Sequence, residues 1–134
     1  MNVAISGSRT FTDRRFVEKV VARLLERGDF IIIGDAASGV DLFAWDYLRT
    51  YAPPDRWWRE IADWHELGKV AGHIRNGHMI ENAEQLVTIF ADGLRSAGTS
   101  DCLNQAARKG IPIYVYHQGH WTFEGPAWPT TAPV

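Results

Sequence analysis

The feature that most constrains this chain is a repeated unit: a short apolar run, a glycine-bearing loop, and then a helical pattern. The loops are Ser6-Gly7-Ser8-Arg9, Gly34-Asp35-Ala36-Ala37-Ser38-Gly39-Val40-Asp41, and Gly93-Leu94-Arg95-Ser96-Ala97-Gly98-Thr99. A strand that feeds a helix through such a loop aims backbone N–H groups and the helix dipole at whatever lies in front of it, and the preferred guest is an anion. Three loops of this kind at the same end of the strands predict a site for a phosphorylated ligand.

The rest of the chain fits that unit. Asn2–Ile5 reads as a first strand, and Thr12-Asp13 is a helix start signal. Phe16, Val20, Val21, Leu24 and Leu25 follow at helical spacing, and Gly28 closes that helix. Phe30–Ile33 is a β-branched run, Val40–Tyr51 a helix closed by Pro53-Pro54, and Arg56–Ile61 a third strand. Asp63–Gly68 reads as a loop, Lys69–Ala83 as a helix, Gln85–Phe90 as a strand, Ser100–Lys109 as a helix and Ile111–Tyr116 as a last strand. Alternating strands and helices predict an α/β domain over 1–116: a Rossmann-like, open, mostly parallel sheet with helices on both faces. Right-handed crossovers put every strand-to-helix loop at the carboxyl edge, where ligands of such sheets bind. The segment 117–134, rich in Pro, Gly and Trp, reads as an irregular C-terminal tail.

Bulk properties narrow the function. At 134 residues the chain is one domain, and its net charge of −2 supplies no basic field for nucleic acid. The single cysteine, Cys102, excludes an internal disulfide and a cysteine-rich zinc site. No apolar run is long enough to span a membrane, and the N-terminus enters a strand pattern rather than a signal peptide. The expected location is the cytoplasm, with no membrane partner.

Each polar group in the loops admits two roles. Arg9 suits bidentate contact with phosphate or carboxylate, or simple solvation before a helix. Ser38 and Gly39 let backbone approach a ligand closely. Asp41 is placed either to meet a helix dipole or to accept from a ribose hydroxyl or a base donor. Thr99 is either an N-cap or, with Gly98, a phosphate contact, and Asp101 is either a dipole partner or an acid/base group. Gly68-Lys69 is not a P-loop, because Asp63 and Val70 stand where glycine and Ser/Thr are needed. His65, His73, His78, His117 and His120 form no metal pattern, so neither a metal nor a cofactor is expected. Cys102 reads as a buried inert thiol. The Trp57-Trp58 pair and Trp64 suit core, interface or base stacking.

Taken in order, the chain reads GSR, G-x4-G-x-D, A-D-W with G-K-x-A-G-x-x-R-N-x-x-M, F-x-D-G-x-x-S-x-G-T, and G-I-P-I-Y-V-Y. That order, from Val3 to Tyr116, resembles the SLOG superfamily, in particular its small YspA/YpsA-like single-domain branch. The resemblance implies a nucleotide-type pocket built from Gly7, Ser8, Arg9, Gly39, Asp41, Arg75, Asn76, Gly98 and Thr99. It also implies a place beside the pocket for Trp64, Gly68, Lys69 and Gly72. Lonely-guy phosphoribohydrolases of that superfamily carry P-G-G-x-G-T-x-x-E and an upstream R-x-x-x-M. Here Arg75 and Met79 match the second pattern, but Arg95-Ser96-Ala97-Gly98-Thr99 lacks the glycine pair and Cys102 replaces the glutamate. DNA-processing protein A, another relative, binds single-stranded DNA.

Three expectations follow in order. The first is binding of an NAD- or ADP-ribose-related molecule, as sensor or sequestering protein. Arg9 and Thr99 hold phosphate, Asp41 and Asn76 address ribose or base, and Arg75 adds a second positive contact. The second is hydrolysis of an N-glycosidic bond, with Asp41 or Asp101 as acid/base and Arg75 stabilising charge. The third is single-stranded nucleic-acid binding, which the acidic balance disfavours. A homodimer or larger assembly is expected from the Trp content and the habit of the resembled family.

Overall fold

The computed structural model describes residues 1–125. The elements are β1 (Asn2–Gly7), α1 (Arg14–Glu26), β2 (Phe30–Ile33), α2 (Val40–Tyr51), β3 (Trp57–Arg59), α3 (Trp64–Leu67), α4 (Ala71–Glu81), β4 (Gln85–Ile89), α5 (Ala97–Lys109), β5 (Ile113–His117) and β6 (His120–Phe123). They form one six-stranded sheet in the order β3-β2-β1-β4-β5-β6. The first five strands are parallel, and β6 runs antiparallel to β5. This is a Rossmann-like α/β fold. The chain winds outward from β1 to β3, then crosses back to place β4 on the other side of β1. The order reverses between β1 and β4, which leaves a crevice at their carboxyl ends.

Strand alternation builds two cores from one apolar run. Val3 and Ile5 of β1, Ile31 and Ile33 of β2, and Val87 and Ile89 of β4 face α1 and α2, meeting Val17, Val21, Leu24, Ala44 and Leu48. Ala4, Ile32 and Leu86 point the other way, with Ile113 and Val115 of β5, and meet Met79, Ile80, Cys102 and Ala106 of α4 and α5. A strand buried on both faces is apolar at most positions, which is why Phe30–Ile33 reads as a continuous rather than alternating run, although β4 also buries Gln85 and Thr88. Each fully buried Val, Leu, Ile or Met among them contributes about 1.5–3 kcal/mol of burial.

Local chemistry sets the helix ends. Asp13 caps α1 by accepting from the Phe16 N–H at 3.1 Å. Ala52 turns to extended backbone before Pro53 and ends α2. Lys109 donates to the carbonyls of Ile80, Glu81 and Ala83, where the C-terminus of α4 leaves acceptors unmet.

Three sequence expectations need correction. The segment from residue 117 is not irregular throughout: Gln118 and Gly119, with φ of 54° and 80°, make a tight turn, and His120–Phe123 returns as β6. Trp121 then packs on Tyr116 at 5.4 Å between centroids, and the high Pro and Gly content of the tail had hidden that pair. Residues 126–134 of that tail lie outside the described residues. Asp63–Gly68 is not a loop, because Asp63 caps the short α3 through the Glu66 N–H. Finally, α5 begins at Ala97 with Ser96 as its N-cap, so Thr99 lies inside the first turn and is not a cap. Among the described residues no helix is long and apolar enough to cross a membrane.

Candidate functional site

The glycine loops are joined before any ligand is considered. At the end of β1, a Cβ on Gly7 would overlap the Val40 side chain and lie 2.7 Å from the Ile89 carbonyl, so only glycine lets β1, β4 and the start of α2 approach this closely. Ser8 is the pin. Its N–H donates to Ile89 at 3.0 Å, its Oγ accepts from the Ala91 N–H at 3.0 Å, and its carbonyl accepts from the Val40 N–H at 3.2 Å. Gly39, at φ +72°, presses against the Ser8 carbonyl where a Cβ would clash. Ser38 Oγ donates to the Arg9 carbonyl at 3.0 Å. Ser8, Ser38 and Gly39 therefore hold the first two loops together and do not line the space between them.

That space is a cleft of about 390 Å³ at the carboxyl edge. Ser6 and Gly7 form its floor, and Arg9 and Thr10 come from the loop after β1. Ala36 and Asp41 come from the second glycine loop and α2, Arg75, Asn76 and Met79 from α4, and Ser96, Gly98 and Thr99 from the start of α5. Of the residues expected to bind a ligand, Gly7, Arg9, Asp41, Arg75, Asn76, Gly98 and Thr99 are brought to one cavity.

A chain of polar contacts runs along one wall. Arg75 Nη1 meets Asp35 Oδ1 at 2.6 Å, with side chains only 10% and 11% exposed. The same guanidinium donates from Nε and Nη2 to Asn76 Oδ1 at 3.3 and 3.1 Å. Asn76 Nδ2 donates onward to the Gly98 carbonyl at 3.3 Å and to Asp101 Oδ2 at 3.1 Å. Acceptors on one side and a guanidinium on the other fix the orientation of that amide. Asp101 Oδ1 lies 2.8 Å from His73 Nδ1, and Gln105 donates to Oδ2 at 3.0 Å.

The titratable groups divide by environment. Burial pushes the Asp41 carboxyl above its ordinary value, against the Ala36 N–H at 3.1 Å and the charge of Arg75. Partial burial works against ionised Asp101 as well, but hydrogen bonds from Asn76, His73 and Gln105 outweigh it and hold this carboxyl below its usual value. Burial lifts the Cys102 thiol to about 12 even with the Ser6 hydroxyl beside it. Cys102 is therefore a neutral thiol at physiological pH and does not reach the cleft.

The start of α5 and the loop after β1 are open to an anion. Ser96 provides no side-chain cap, so the first N–H groups of α5 face outward. Thr99 is only 5% exposed, lines the cleft, and its hydroxyl has no partner among the described residues. Arg9 is exposed, and no hydrogen bond or ion pair holds its guanidinium among the described residues.

This chain is 32% identical over 126 residues to the Gene 61 protein of Mycobacterium phage D29, an alignment spanning 83% of this chain and 92% of that protein. The chain belongs to the family of that phage protein. No protein-family model matches the chain.

Sequence reasoning missed Asp35, which closes the ion pair with Arg75, and the floor residue Ser6. It also gave His73 and His78 no carboxylate partner, because His73–Asp101 and His78–Glu60 (3.4 Å) join residues far apart in the chain. Asp101 does not line the cleft and acts through Asn76. Of the residues expected beside the pocket, Trp64 packs over Gly72, where a Cβ would sit 3.1 Å from its ring, and neither it nor Gly68 or Lys69 lines the cleft.

Proposed function

We propose that this chain binds a phosphorylated, nucleotide-derived small molecule, related to NAD or ADP-ribose, as a sensor or sequestering protein, and that it is a member of the SLOG superfamily. The observation that carries this reading is the polarity of this cleft. It offers Arg9 and the Thr99 hydroxyl, both without a partner among the described residues, and the first N–H groups of α5, which together favour phosphate. The cleft also offers Asp41, an acceptor suited to a ribose hydroxyl or a base donor, beside an Asn76 amide already engaged by Arg75, Gly98 and Asp101. Arg75 is already matched by Asp35, so the net charge available to a ligand comes from Arg9. The order of motifs from Val3 to Tyr116 supports the superfamily assignment. The cytoplasm is the location this reading implies, and a homo-oligomer is its expected state.

Thermal unfolding of ligand-free protein with NAD, ADP-ribose, cyclic ADP-ribose forms and nucleoside monophosphates tests the proposal. A ligand at a hundred times its dissociation constant adds about 2.7 kcal/mol. Stabilisation by at least one of them is expected, and no shift with any of them contradicts the reading.

A second reading, hydrolysis of an N-glycosidic bond, is favoured by Asp41 alone. A buried carboxyl that keeps its proton more readily than usual, in the same cleft as Arg75, is placed as a general acid for a leaving base. Against it, Cys102 stands where the hydrolytic relatives keep glutamate, and Asp101 is engaged elsewhere. Release of free base from nucleoside 5′-monophosphates or NAD, lost in Asp41→Asn, would promote this reading.

A further inference from the structure

We propose that the ligand is two-headed, and that a second chamber beside the cleft takes a flat, donor-bearing heteroaromatic ring carried beyond the phosphate. This rests on the reading that the cleft holds a phosphorylated nucleotide. The second chamber adjoins the cleft through Thr10 and encloses about 440 Å³. It lies on the other side of the loop that follows β1, where the strand order reverses.

Its walls suit a ring. Phe11 and Tyr116 line it, set edge to face with centroids 6.4 Å apart. Behind them, Phe16 lies 4.2 Å from Tyr116 and 5.8 Å from Phe11, and Trp121 lies 5.4 Å from Tyr116. Both rings are held by neighbours before anything binds, which lowers the ordering cost of stacking. Ser8 fixes the spacing between the chambers: its carbonyl accepts from the Phe11 N–H at 3.3 Å and its Oγ from the Ala91 N–H at 3.0 Å. Ala91 lines the second chamber, and the Gly7 neighbouring Ser8 lines the first.

The charges of the two chambers are opposite in sign. Asp13 and Asp92 are the charged groups of the second chamber, and no cation lines it among the described residues. Asp13 Oδ1 already accepts from the Phe16 N–H, while Asp92 is exposed and makes no hydrogen bond among the described residues. A phosphate is repelled there and stays with Arg9. A ring bearing an amino or amide group, neutral or positively charged, is accepted. One molecule meets both demands when two rings flank a phosphate bridge.

The test is calorimetric titration of the full chain with AMP and with NAD, for the wild type, Phe11→Ala and Asp92→Asn. NAD should bind more tightly than AMP. Phe11→Ala should weaken NAD on the order of tenfold, the size of one base–aromatic stack, while AMP stays within about twofold. Asp92→Asn should weaken NAD, whose nicotinamide ring is cationic, and leave AMP unchanged. NAD affinity that is unaffected by Phe11→Ala, or AMP affinity that falls by the same factor, overturns the second chamber and leaves the cleft reading standing. Failure of the wild type to bind AMP, NAD or any other nucleotide of the thermal-unfolding panel overturns the cleft reading itself.

Discussion

Asn76 and Asp101 meet across the seam between α4 and α5 at 3.1 Å, and through this contact a residue outside the cleft decides how one inside it is held. With its Nδ2 committed to Asp101 and Gly98, Asn76 can present only its carbonyl oxygen to Arg75. The guanidinium is thereby clamped between Asn76 and Asp35 rather than free to swing into the cleft.

Asp101→Ala should cost about 1–3 kcal/mol, the penalty for leaving a buried amide short of its partner. The pH dependence has a definite sign. Asp101 is held below its ordinary value in the folded chain, so its contribution is complete above the unfolded carboxylate pKa of about 3.9 and fades as pH falls through the lower folded value. Urea unfolding of the wild type and the variant at pH 7 should show the full gap, and the two curves should converge below about pH 4.

Asp41→Asn should behave in the opposite way. Burial raises the folded pKa of Asp41, so the stability it allows is complete below the unfolded value and is lost as pH rises through the folded one. The amide oxygen of asparagine can still accept from the Ala36 N–H. The ligand-free variant should therefore be as stable as the wild type in acid and more stable at neutral pH, while binding nucleotide less well. A variant less stable than the wild type at pH 7 would show that the charge of Asp41 is compensated by Arg75 after all.

The glycines should separate by role. Gly7→Ala places a methyl group against the Val40 side chain and the Ile89 carbonyl, in a part of the fold without slack, and should destabilise by about 1–3 kcal/mol or more. A Cβ on Gly98 meets nothing within 4 Å, so Gly98→Ala should leave stability within about 0.5 kcal/mol. Chemical denaturation of the two variants side by side checks this contrast.

The sheet was legible because its signals are local. The β-branched run Phe30–Ile33 and the helix Val40–Tyr51 match the structure to the residue, since burial on both faces leaves no polar position to blur a strand. The meeting of the three glycine loops was legible for the same reason, as parallel strands leave their exits at one edge. Asp35 was not, because its partner Arg75 is 40 residues away, and no spacing rule links a loop carboxylate to a helix across the sheet. The bonds that Ser8 and Ser38 make between the loops were not legible for a related reason. A serine in a glycine loop has the same chemistry whether it meets a ligand or a neighbouring loop, and only packing distinguishes the two. The strand β6 was missed because Gln118-Gly119 is a less familiar turn pair than Asn-Gly.

Isothermal titration of ligand-free protein with a nucleotide such as AMP or ADP-ribose, comparing the wild type with Arg9→Ala, tests the central claim most directly. Arg9 is exposed and unpaired, so its removal should leave unfolding stability within about 0.5 kcal/mol. Loss of a charged contact to phosphate should nevertheless weaken binding about tenfold or more. A wild type that binds and an Arg9→Ala variant that binds equally well, with both fully folded, would contradict a phosphate held at this end of the cleft.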